Sequence, residues 1–234
     1  LQHSLGRFLI YIVSTMAILK ENLSKIKDLI TKSSENKDIF NDLSIIAVTK
    51  TFSEDVIRSA IKSNYYIFGE NKVQEAKNKF LKLRSDFPNI KLHMLGNLQT
   101  NKVKDALKLF DFIHTLDREK ICLEIKKQQT KESLTKNFFI QVNIGNEEQK
   151  SGILKDDLDD LYHYCKDLNL DIVGLMCIPP YNSDPNPFFQ ELQYLNKNLS
   201  LKELSMGMSS DYLKAVEHNS TYLRIGSAIF GERA

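Results

Sequence analysis

The chain has 234 residues, 42% of them hydrophobic and 26% charged, with a formal net charge of +2. This is the composition of a globular domain, and the mixed, near-neutral charge gives no nucleic-acid-binding face. Three widely spaced cysteines, Cys122, Cys165 and Cys177, form neither a CxxC pair nor a Cys/His ligand set. Structural zinc and a disulfide framework are therefore not expected, and free thiols in a reducing cytoplasm are.

At the N-terminus, 8-FLIYIV-13 is too short to span a membrane, which takes about 20 residues, and no Ala-x-Ala-like cleavage site follows it. Met16 stands ahead of an amphipathic helix, 17-AILKENLSKIKDLITKSS-34. Residues 1–15 are thus read as a vector-derived or upstream extension, and 16–234 as a single domain. The first strand is 43–49, ending in 45-IIAVTK-50. Helix 54–63 follows, with Ser53 as its expected cap and Glu54 and Asp55 in its first turn. Apolar runs then predict strands at 65–68, 91–95, 111–115, 138–143, 171–176, near 202–205 and at 221–225. Helical spacing predicts helices at 70–84, 99–108, 117–129, 155–167, 186–198 and 210–218.

Eight apolar strands alternating with helices predict an all-parallel sheet covered on both faces. Eight such units in about 190 residues predict a single α/β domain, a compact (β/α)8 TIM-type barrel. The rival is an open doubly wound sheet, which would carry a glycine-rich turn after its first strand. Here that turn is 50-KTFSED-55, without glycine.

In a barrel, the C-terminal ends of the strands carry the chemistry. Those ends hold Lys50, 69-GEN-71, His93, Asn97, His114, Gln141, Asn143, 205-SMGMSSD-211 and 224-RIGSAIFG-231. The last two clusters follow strands seven and eight, where barrels often bind phosphate at a helix N-terminus. Gly226 and Ser227 would offer backbone N–H groups there, with Ser205 and Ser209 adding hydroxyls. The alternative is a plain turn whose glycines serve backbone geometry. Arg224 is either a structural ion-pair partner or a permanent donor to an anion or ring nitrogen. Lys50, taken alone, is a snorkelling lysine; facing a phosphate cradle, it suits a Schiff base with an aldehyde. His93 and His114 lack a metal-compatible partner set and are read as hydrogen-bonded structure, and Tyr65 and Tyr66 as packing. No metal site is expected.

The motifs 47-AVTK-50, 68-FGENKVQE-75, 93-HMLGNLQTNK-102, 112-FIHTLDR-118, 150-KSGI-153, 173-VGLMCIP-179, 204-LSMGMSSD-211 and 223-LRIGSAIFG-231 occur in this order. From about Met16 to its end, the chain resembles the pyridoxal phosphate homeostasis protein family, also called the YggS or PROSC family. The resemblance implies a barrel like the alanine racemase N-terminal domain, with pyridoxal 5′-phosphate (PLP) bound as an aldimine to Lys50. It also implies that Asn71 lies near the cofactor and that Ser205, Ser209, Gly226 and Ser227 hold the phosphate. Met208 joins the cofactor-binding set, and Arg224 faces the pyridine nitrogen. Two positions depart from the family pattern near the cofactor mouth: Asn97, where Pro or His is usual, and Ser210, where Asp is usual.

Members of that family bind and buffer PLP in vitamin B6 homeostasis. The resemblance therefore implies a protein that is not an enzyme and has no catalytic residues: a cytoplasmic monomer with PLP-dependent apoenzymes as acceptors and no nucleic-acid or membrane partner. The alternative is a PLP-dependent amino-acid racemase. Alanine racemase resembles this barrel but adds a C-terminal β-domain and takes a second base from a partner's tyrosine. The sequence ends at 231-GERA-234, so such a domain is not expected. An arginine at the ring nitrogen also makes a weaker electron sink. A lysine Schiff-base aldolase is the third reading, disfavoured because aldolase lysines generally sit on a later strand.

Overall fold

The structure, a computed structural model that describes residues 2–34 and 38–231, is a closed eight-stranded parallel barrel in which every strand neighbours the next in sequence. Helix α1 (Gln2–Ser33) precedes β1 (Ser44–Val48), α2 (Glu54–Lys62), β2 (Ile67–Glu70), α3 (Val73–Asp86) and β3 (Lys91–Met94). Then come α4 (Val103–Leu109), β4 (Phe112–Leu116), α5 (Glu119–Glu132), β5 (Asn137–Val142), α6 (Leu158–Asp167) and β6 (Asp171–Cys177). The last elements are α7 (Asn186–Asn198), β7 (Glu203–Met208), α8 (Tyr212–Glu217), β8 (Tyr222–Ile225) and α9 (Ser227–Phe230). Pairing of β1 with β8, from Ser44 with Tyr222 to Ala47 with Ile225, closes the barrel and excludes the open sheet.

Several boundaries differ from the sequence expectation, and four of them, at α1, β2, α3 and β7, bear on the fold around the barrel ends. Helix α1 starts at Gln2 rather than 17, because no proline interrupts the stretch between them. Leu1 of the expected extension, and the final residues 232–234, lie outside the described residues. Strand β2 starts at Ile67 because Asn64 turns left-handed (φ 61°) and the Tyr65 N–H bonds to the Ala60 carbonyl, ending α2 there. The Tyr65 hydroxyl then donates to the Ile45 carbonyl across the layer. Gly69 and Glu70 consequently belong to β2, and α3 begins three residues later than expected, at Val73. Strand β7 runs on to Met208 through a shift of register against β8 between Ser205 and Met208, where Gly207 adopts φ 92° and an added Cβ would lie 2.6 Å from the Ala215 Cβ.

Side-chain alternation divides two cores. Ile45 and Ala47 pack outward with Phe68, Phe80 and Phe138 against the helices, and Ile46 and Val48 point inward with Leu95. Each fully buried phenylalanine of the outer layer contributes roughly 1.5–3 kcal/mol. On α1, Leu19, Leu23, Ile26 and Ile30 form one buried stripe. The Asn22 side chain donates to the Ile229 carbonyl, tying α1 to α9 across the closure. All three cysteines are free and buried. Cys122 on α5 and Cys165 on α6 nevertheless meet, with sulfurs 3.3 Å apart against about 2.0 Å in a disulfide. Among the described residues no helix is long and apolar enough to cross a membrane, and no group of three His, Cys, Asp or Glu is placed to hold a metal.

Candidate functional site

The inward parity of Ile46 and Val48 carries on to Lys50, half-buried in the turn beyond β1. That turn is held from outside the barrel. Lys79 on α3 lies 2.6 Å from Glu70 and 2.9 Å from Glu75, and it donates to the carbonyls of Thr49 (2.9 Å) and Phe52 (3.4 Å). The Thr49 hydroxyl donates to Glu70 at 2.7 Å, and the Thr51 N–H donates to Glu75 at 2.6 Å. Thr51 needs this support: its φ of 70° is an unfavourable left-handed conformation for a β-branched residue. Burial pushes the Glu70 carboxyl above its ordinary range despite Lys79 and Thr49. Burial also acts on the more exposed Glu75, but there Lys79 and the Thr51 N–H outweigh it and the carboxyl lies below its usual range. Ser53 has an extended, cap-like backbone but makes no side-chain cap bond, contrary to expectation.

The other end of the chain supplies the facing wall. The backbone N–H groups of Gly226 and Ala228 converge on the Ser209 hydroxyl oxygen, each at 3.3 Å. The Met208 N–H donates to Asp211 at 2.5 Å and braces this loop. Phe52, two residues beyond Lys50, packs against Phe230 of α9 with ring centroids 4.9 Å apart. Arg224, 5% exposed, donates from Nη1 to the Ser205 Oγ (2.9 Å) and from Nη2 to the Cys177 carbonyl (2.8 Å). Both partners are neutral oxygens rather than carboxylates. Burial lowers the arginine's pKa, with Cys177 and Asp211 acting the other way, but a guanidinium starts so high that it stays charged. Burial also pushes the Cys177 thiol up to about 12.

These elements enclose a cavity of about 300 Å³ lined by Lys50, Asn71, Met208, Ser209, Arg224, Gly226 and Ser227 together with Val48, Leu95, Ile178 and Ser210. Of the residues nominated from sequence, only Ser205 is missing. It is fully buried within β7, one step deeper than the cavity, and meets Arg224 and His114 instead. It was expected among the phosphate donors, and the structure places it beneath the cavity rather than in its lining. Gly96 lets the backbone of Asn71 approach: a Cβ there would fall 2.1 Å from the Asn71 carbonyl oxygen. An adjoining cavity of about 320 Å³ shares Asn71, Leu95 and Ile178 and adds Asn97, Gln141, Asn143 and Lys150. The two family departures thus line these spaces, Ser210 the first and Asn97 the second.

Glu70, Glu75 and Lys79 had no role on the sequence reading. Their signal was present, in 68-FGENKVQE-75 and in the helical Glu75–Lys79 spacing, but nothing local joins them to Lys50. His93 and His114 are brought together, with His93 Nδ1 2.9 Å from His114 Nε2, and His114 Nδ1 lies 2.8 Å from Ser205. Burial keeps both imidazoles neutral, His93 down to about 3 and His114 also well below its ordinary range.

The family model described as "Alanine racemase, N-terminal domain" matches residues 16–234. A pyridoxal phosphate homeostasis protein of Aquifex aeolicus is 37% identical over 224 residues, which is 91% of this chain and 97% of that protein. One of Escherichia coli K12 is 32% identical over 226 residues, covering 92% and 97%. The solved structure of PipY from Synechococcus elongatus with PLP bound superposes with a TM-score of 0.80 at 28% identity, covering 91% of this chain and 100% of PipY. A histidine racemase of Leuconostoc mesenteroides shares the fold alone, with a TM-score of 0.69 at 17% identity, covering 93% of this chain and 58% of the racemase. By sequence identity, coverage and barrel architecture, the chain belongs to the pyridoxal phosphate homeostasis protein family.

Proposed function

We propose that the protein binds PLP in the cavity between Lys50 and Arg224 and holds it for vitamin B6 homeostasis. The observation that carries this reading is the buried Arg224 guanidinium, bonded among the described residues to two neutral oxygens and lining the same cavity as Lys50. The donor set suits the cofactor. The backbone N–H groups of Gly226 and Ala228, now on Ser209, together with the Ser227 and Ser209 hydroxyls, match a phosphate. Arg224, a donor without a removable proton at neutral pH, matches an unprotonated pyridine nitrogen. Lys50 would supply the amine that holds the cofactor covalently through its aldehyde, with one water released.

Holding rather than turnover is favoured by the lining itself. Apart from Lys50 and Arg224, the described residues around this cavity carry no titratable side chain to serve as a second base. The same reading makes PLP-dependent apoenzymes the acceptors, a cytoplasmic monomer the working form, and residues 16–234 the binding unit, the span that the family model matches. Purified protein mixed with PLP should develop a visible band, borohydride should bleach it while fixing the cofactor on Lys50, and Lys50→Ala should not form it. An unchanged spectrum in that variant overturns the lysine assignment. Sustained formation of D-alanine from L-alanine overturns the carrier reading in favour of a racemase.

A further inference from the structure

A file of buried polar groups leads from the cavity down the barrel axis: Arg224, Ser205, His114, His93. Their exposures are 5%, 0%, 0% and 1%. We infer that His114 and His93 are positioning residues for Arg224, held as neutral Nε2–H tautomers in a one-way hydrogen-bond chain that acts on the guanidinium through Ser205. The inference rests on the reading above, in which Arg224 faces the cofactor ring.

The direction of the chain follows from donor arithmetic. An arginine only donates, so Ser205 Oγ accepts from Nη1 at 2.9 Å. The serine must then place its own hydroxyl proton, and His114 Nδ1 stands 2.8 Å away. That nitrogen therefore carries no proton, and a neutral imidazole must carry it on Nε2 instead. His114 Nε2–H in turn donates to His93 Nδ1 at 2.9 Å. His93 is left with its proton on Nε2, where it lines a cavity at the opposite end of the barrel with Lys91, Asp111 and Tyr222. The reverse direction would make Ser205, which is fully buried, accept twice and leave its hydroxyl proton without an acceptor among its described partners. A doubly protonated imidazole would set donor against donor and add a cation beside Arg224.

The rings cannot easily turn to adopt another pattern. His93 stacks on Phe112 with centroids 4.5 Å apart and 5° between planes, and His114 on Phe139 at 4.2 Å and 13°. Tyr222 packs edge-on against His114 at 5.8 Å. The chain therefore fixes one edge of the guanidinium toward Ser205 and the Cys177 carbonyl, and the arginine meets the cavity with what remains.

Long-range proton–nitrogen NMR on the full chain, with and without added PLP, reads the tautomers directly. Each imidazole is assigned by the signals lost in a single variant. Both His93 and His114 should show a protonated Nε2 and a bare Nδ1; a protonated Nδ1 on either ring overturns the chain. The second arm is PLP affinity and the visible band. His114→Leu should weaken binding about tenfold and shift the band, as expected for losing a hydrogen bond that orients a charged group. His114→Asn, whose Oδ1 stands near the Nδ1 position, should restore both. Equal affinity and equal bands across the two variants overturn the positioning role. If His114→Leu does not fold, the tautomer measurement on the unmodified chain decides. If that chain takes up no PLP, the proposed function fails while the tautomer result stands independently.

Discussion

The two cations of the cavity are held in opposite ways. The turn carrying Lys50 is braced from outside the barrel by charges, with Lys79 between Glu70 and Glu75. Arg224 is braced from inside by neutral groups, Ser205 and behind it His114 and His93. On the proposed reading the difference suits what each cation would do. A lysine that is to react as an amine needs a fixed backbone, which Lys79 and the two glutamates give the turn. An arginine that is to remain charged needs its donors satisfied without a carboxylate that would neutralise its field.

The largest break in this comparison is expected from Lys79→Met. It leaves Glu70, fully buried, without its cation. Urea unfolding should show a loss of about 3–5 kcal/mol, and adding Glu70→Gln should recover part of it. A loss no larger than that of an exposed lysine would mean that the ionic brace is not what holds the turn.

Acid should separate the two sides next. His93 titrates near 3 in the folded chain and His114 is also depressed, whereas an unfolded histidine titrates near 6.5. Below about pH 6.5 the unfolded chain binds protons that the folded chain refuses. Stability should therefore fall by up to ~1.4 kcal/mol per pH unit for each histidine as the pH drops toward 5. On the other side Glu70, raised by burial, contributes stability that is present at low pH and lost as pH rises through its folded value. Glu75, lowered chiefly by Lys79 against the effect of burial, behaves in reverse, with its contribution lost as pH falls through its folded value. A flat urea midpoint between pH 7 and 5 would show that the buried imidazoles accept protons without unfolding.

Arg224→Gln keeps a donor for Ser205 but removes the charge. PLP binding should weaken tenfold or more, as expected for losing a hydrogen bond to a charged group, with a shift of the visible band. An unchanged affinity would place the arginine away from the ligand. The smallest effect belongs to Ser53→Ala. Since Ser53 makes no side-chain cap bond, the urea midpoint should move by less than about 0.5 kcal/mol equivalent, against about 1 kcal/mol for a working cap.

Much of the site was legible because it depends on local pattern. The end of the first apolar run placed Lys50 in the cavity's lining, and the glycine–serine clusters after β7 and β8 placed Ser209, Gly226 and Ser227 there. Ser205 was misplaced because it was read as part of a loop. Strand β7 continues through the irregularity at Gly207 to Met208, so Ser205 lies within the strand and faces Arg224 and His114 inside the barrel. Ser53 was misread because a suitable residue type at a helix start does not by itself aim its hydroxyl at the backbone.

What the sequence determined by itself was the alternation of strand and helix, their number, and the place of Lys50 at the end of the first strand. Those are contacts at separations of two, three and four residues, set by backbone geometry. Only the tertiary structure could join His93 to His114, 21 residues away, and His114 to Ser205, 91 residues away. Such pairs exist because parallel strands close into one ring in a particular register, and no local spacing encodes which inward residues then share a layer.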